Sequence, residues 1–140
     1  MKVYSSNFLE VDYHADHGWL CLRCFGKLES KEFRESLEKA LEFAEENQVK
    51  QWLLDFREIG SLDENEDAWL QSYLFPKIMM RLGTSNYIAI VLSEKCYEVL
   101  LKEAGKFGLK SYNSFIIINT FYNLDEASRW LKKHRINKAS

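Results

Sequence analysis

One proline and six glycines in 140 residues are too few for long linkers or a solvated, disordered arm. The three cysteines are an odd count in a chain long enough to fold without covalent staples, which argues for reduced thiols. Long apolar runs are missing. The longest, such as Tyr87 to Leu92 and Phe115 to Ile118, are far too short to cross a bilayer, so no membrane span is expected. The start, Met1 to Asn7, lacks the apolar run of a secretory signal, which makes a cytoplasmic location the expectation. Net charge is only −2, without the basic excess that nucleic-acid binding calls for. Catalytic signatures are missing too. There is no glycine-rich phosphate loop, no G-x-S-x-G elbow, and no pair of carboxylates fixed by spacing. Neither a cofactor nor enzymatic activity is expected.

What is present is core material. Hydrophobic residues make up 46% and aromatic residues 14%, with four tryptophans. A chain of this size can bury roughly two-thirds of its unfolded surface, so residues 1–140 read as a single domain. Charge is uneven along it. Residues 1–70 hold 8 Lys/Arg against 16 Asp/Glu, and residues 71–140 hold 11 against 5. Either helices of the two halves compensate each other by packing, or the surface is polarised toward a charged partner.

Apolar periodicity gives the elements. Leu9, Val11 and Tyr13 alternate with Glu10 and Asp12, which predicts a half-buried strand over Phe8 to Tyr13. The turn residues His14 to Gly18 lead to a second strand, Trp19 to Phe25, apolar on both faces and so expected inside the sheet. Ser30 is the expected N-cap of a helix reaching about Asn47, with Phe33, Leu37, Ala40, Leu41 and Ala44 on one face. Gln51 to Phe56 reads as a buried strand, followed by a polar connection, residues 57–62. Asp63 to Glu66 resembles a capping box ahead of a helix ending near Gly83, with a kink or break expected at Pro76. Tyr87 to Leu92 is another strand. Ser93 caps a helix stopped by Gly105 or Gly108. Ser114 to Phe121 is the last strand, and Asn123 to Glu126 caps the last helix. The order ββαβαβαβα predicts an α/β fold: a mixed, mainly parallel sheet with an N-terminal hairpin and about four helices. The tail Lys132 to Lys138 is expected to be a fraying helix end.

The element order, the strand Trp52-Leu53-Leu54-Asp55-Phe56-Arg57 and the ending Tyr122 to Leu131 resemble the SpoIIAA-like superfamily. That is the fold of STAS domains and of small, stand-alone bacterial STAS/SEC14-like proteins. The resemblance implies a regulatory or protein-interaction module. STAS antagonists switch by phosphorylation of a serine in an Asp-Ser pair, followed by glycine, shortly after the third strand. Here the matching stretch is Ser61-Leu62-Asp63-Glu64-Asn65. The pair is absent, and an acidic helix start stands in its place. The SEC14 side of the resemblance implies an alternative, a binding protein for a small apolar or lipid-like ligand.

Three constellations bear on chemistry. Cys21-Leu22-Arg23-Cys24 has C-x-x-C spacing, and His14 and His17 would complete a His₂Cys₂ zinc set. Residues three apart on a strand point to opposite faces, however, so packed cysteines, exposed histidines and no metal are expected. Asp55 and Arg57 sit two apart at the C-terminal end of a strand, where open α/β sheets bind ligands; they either hold each other or hold a polar ligand. Trp69, Tyr73, Phe75, Met79 and Met80 exceed one amphipathic stripe, and the surplus goes to the core, an apolar pocket or a dimer contact. Asp55, Arg57, Ser61, Trp69 and Tyr73 together form the expected ligand or partner face. A protein partner and a symmetric homodimer are both compatible with it.

Overall fold

The computed structural model describes residues 1–135. The end of the basic tail, residues 136–140, lies outside the described residues. Among the described residues seven strands form one sheet: β1 (Lys2–Ser5), β2 (Leu9–His14), β3 (Trp19–Cys24), β4 (Gln51–Asp55), β5 (Asn86–Val91), β6 (Lys110–Tyr112) and β7 (Ile116–Phe121). The helices are α1 (Ser30–Asn47), α2 (Glu64–Trp69), α3 (Phe75–Leu82), α4 (Glu94–Ala104) and α5 (Leu124–Lys133). The chain is thus α/β, and from Leu9 onward the elements follow the expected hairpin and strand–helix order, with β6 added before the last strand. Two strands carried no sequence signal. β1 is four residues long and β6 three, too short for an alternation to show.

The strand order is β1-β2-β3-β4-β5-β7-β6. β3, β4, β5 and β7 pair in parallel, while β1, β2 and β6 join antiparallel. The expected mainly parallel sheet is therefore evenly mixed, because β1, β2 and β6 each join the parallel core by a local reversal. The parallel strands step one way across the sheet without reversal. No switch-point crevice of the doubly wound kind forms among them.

Two cores lie on the two faces. On one, Leu20, Leu22, Trp52, Leu54, Ile88 and Ile118 pack beneath α1, α2, α3 and α4. On the other, Trp19, Leu53, Ala89 and Val91 pack under α5 alone, through Ala127 and Leu131. β3 contributes to both faces, as expected of an interior strand. No helix among the described residues is long and apolar enough to cross a membrane.

The caps explain the helix starts. Asp63 accepts from the Glu66 N–H at 2.8 Å, Ser93 from the Cys96 N–H at 3.2 Å and Asn123 from the Glu126 N–H at 3.1 Å. Ser30 departs from its expected role. It is the first helical residue, Glu29 occupies the cap position, and the Ser30 hydroxyl bonds the Glu66 carboxylate instead. Pro76 does not break its helix. A π turn over Leu70 to Leu74 joins α2 to α3, and the Phe75 N–H bonds Leu70 O, five residues back. The ladder has already changed register where the proline lacks its donor.

Candidate functional site

The five expected site residues do not form one face. Asp55 ends β4 on the α5 side of the sheet. Arg57 folds back onto it, with Nε donating to Oδ1 at 2.9 Å and Nη2 to Oδ2 at 2.8 Å. The Arg57 backbone N–H also donates to Oδ1, at 3.1 Å. Asp55 is buried and both its oxygens are engaged. This hydrogen bonding raises the Arg57 guanidinium pKa above its ordinary value. A bidentate pair of this kind fixes the turn after β4 and leaves the carboxylate no free edge for a ligand.

Trp69 and Tyr73 lie on the opposite side of the sheet, Trp69 half-buried with its ring edge-on to Phe33 of α1 and Tyr73 exposed. Their rings stack at 5.2 Å, with the Arg34 guanidinium over Trp69 at 5.5 Å and the Lys77 ammonium over Tyr73 at 4.3 Å. Beneath them Glu66 is buried, held by Ser30 and by Arg34 Nε at 3.1 Å. Glu66 therefore ties α2 to α1 rather than closing a capping box. The apolar surplus of this helical run is also accounted for. Phe75 is buried, Met79 packs against the core, and Met80 stands in solvent.

The cysteines separate as their spacing predicts. Cys24 belongs to the core under α1, and Cys21 packs against the core under α5. Burial, the largest cause, pushes both thiols up to about 12, and the Asp55 carboxylate adds to it. His14 is exposed, but His17 stacks on Trp19 at 4.5 Å. Among the described residues no three His, Cys, Asp or Glu side chains converge as metal ligands.

Ser61 leads to a feature that sequence reasoning missed. It stands at the lip of a cleft of about 560 Å³ between the α2–π run and α4. Ile90, Leu92, Ile118 and Thr120 form its floor, and Phe56, Leu70, Cys96 and Leu100 close its sides. Asp67 and Gln71 stand on one wall; Lys95, Val99 and Glu103 stand on the other. Gly108 to Ser111, the 3₁₀ turn and β6, close the far end. The cleft exists because α4 buries none of its residues fully. At the top, the Gly60 carbonyl accepts from the Ser93 N–H at 3.0 Å, tying the loop after β4 to the start of α4. Gly60 has φ +92°, and a Cβ there would lie 3.1 Å from Cys96 Sγ, so glycine is what permits this approach. A weak sequence signal was available. Tyr97, Val99, Leu100 and Leu101 spread around α4 instead of forming one stripe.

Comparison with known proteins finds no matching family model, no matching curated protein and no matching solved structure. The fold and site define an α/β chain with a mixed seven-stranded sheet and a mostly apolar cleft beside α4.

Proposed function

We propose that this chain is a non-enzymatic binding module of the SpoIIAA-like type that holds a small, largely apolar molecule between α2 and α4. The observation that carries the reading is the cleft itself. Its volume, about 560 Å³, lies within the range of small-molecule sites, and its apolar floor with few polar groups on the walls matches their usual lining. Nile red, a neutral dye that brightens in apolar surroundings, tests it. The wild-type chain is expected to enhance its emission, and Val99→Trp, which fills the cleft from α4, is expected to abolish the gain without unfolding the protein. Undiminished enhancement by a folded Val99→Trp variant overturns the reading.

A second reading keeps the regulatory, partner-binding role and places it on the outer helical surface. It is favoured by the exposed Tyr73 stacked on Trp69, since aromatic side chains flanked by cations are common anchors of protein interfaces. A cytoplasmic setting and a symmetric dimer belong to this reading. Phosphorylation does not, because the Asp-Ser pair is missing. Tyr73→Ala leaving every co-purifying protein in place counts against it.

A further inference from the structure

The charges around the cleft are unequal in their surroundings. Lys95 stands on the first turn of α4 and Glu103 near its end, eight residues on, about 12 Å along a helix axis. Lys110 also borders the cleft, but it pairs opposite Asn119 on β7. Opposed residues of an antiparallel pair share a face, so the Lys110 side chain belongs to the sheet face away from the cleft. The cleft is therefore served by one ammonium and two carboxylates.

Asp67 is the carboxylate on the α2 wall. The residue is exposed overall and borders the cleft, and partial desolvation raises its pKa above the ordinary carboxylate value. No cation among the described residues forms an ion pair with it. Glu66, the residue before it, differs in this respect, for it has Arg34. An unpaired carboxylate on the wall of a mostly apolar cleft favours a cation that enters the cleft.

We infer that the molecule held in the cleft is an apolar amine, with its ammonium against the Asp67 carboxylate and its hydrocarbon part over Ile90, Leu92 and Ile118. This rests on the cleft being a binding site, as proposed above. An anionic ligand of the same shape meets two carboxylates against the single ammonium of Lys95 and is disfavoured. A neutral one gains the floor but leaves Asp67 uncompensated.

Three probes of one skeleton separate these cases: 4-phenylbutylamine, 4-phenylbutanol and 4-phenylbutanoate, titrated calorimetrically into the full chain. The amine is expected to bind about tenfold more tightly than the alcohol, and the acid more weakly than either. Asp67→Asn keeps the side chain's size and is expected to bring the amine down to the alcohol while leaving the alcohol's affinity unchanged. Glu103→Gln is the control at the other carboxylate and is expected to change the amine preference by no more than about twofold, because it lies on the far wall. Acid binding as tight as amine binding, or an amine preference surviving Asp67→Asn, overturns the assignment. Nile red binding with no amine preference overturns it alone. Failure of Nile red and all three probes overturns the cleft reading with it.

Discussion

α1 and α4 cover the same face of the same sheet, yet α1 buries Phe33, Ser36, Leu37, Ala40, Leu41 and Ala44, and α4 buries nothing fully. The cause is in the side chains. α1 repeats its apolar residues over 18 positions at helical spacing, and its alanines let it approach the strands closely. α4 has 11 residues and turns only Cys96, Tyr97 and Leu100 toward the core, with Lys95, Val99 and Glu103 beside them on the open side. α1 is also tied to α2 by the buried Glu66, whereas α4 is tied to the loop after β4 by one backbone hydrogen bond. One place in the architecture thus serves either as core or as the wall of a cleft, and the spacing of a few residues decides which.

The sharpest way to break the comparison is to truncate one residue from each helix. Leu37→Ala is expected to cost about 2–5 kcal/mol, because it leaves a cavity in a packed core. Leu100→Ala on α4 is expected to cost only about 1 kcal/mol, since that side chain is already half in a cleft and loses less apolar burial. Urea unfolding of both variants gives the two values. Equal losses would mean that α4 is packed as tightly as α1 and that the cleft does not persist in solution.

A smaller effect concerns the tie that α4 lacks. Glu66→Ala removes the acceptor shared by Ser30 and Arg34, and is expected to destabilise by about 1–3 kcal/mol. Arg34 is partly exposed and regains water, which keeps the loss toward the lower end. A double-mutant cycle with Arg34→Ala measures the coupling. Additive losses would show that the two side chains do not hold α1 to α2, and the contrast with α4 would then rest on apolar packing alone.

The same contrast separates what the sequence could and could not show. The α1 stripe, the alternation of β2 and the three capping residues Asp63, Ser93 and Asn123 are local patterns whose physics acts within a few residues, so they are readable in one dimension. β1 and β6 are not, because each exists only through pairing with a neighbour strand. The Asp55–Arg57 pair was legible as two charged residues on one face, but its closure into a bidentate contact depends on how the turn folds back. Ser61 borders the cleft, but the sequence singled it out through its likeness to the phospho-switch stretch and not through any sign of a cavity. The cleft arises from residues as far apart as Asp67, Lys95 and Ser111, and from a helix that fails to pack. Trp69 and Tyr73, joined to Asp55 by proximity in sequence, end on the other side of the sheet.

The last prediction uses the three cysteines as reporters and involves no loss of stability. Cys21 and Cys24 lie on the tightly packed strand β3, and burial pushes both thiols up to about 12. At pH 8 both lie well below their midpoints, so very little of either is the thiolate that reacts. Cys96 lies in the wall of the cleft, half-buried on the loosely packed helix. Brief treatment of the native protein with iodoacetamide at pH 8, followed by mass mapping, is expected to find the label on Cys96, with Cys21 and Cys24 modified only after unfolding in guanidinium. A neutral occupant of the cleft such as Nile red is expected to slow the labelling of Cys96 alone. Labelling of Cys21 ahead of Cys96 would reverse the comparison, placing the accessible, weakly packed region under the edge of α5 rather than under α4.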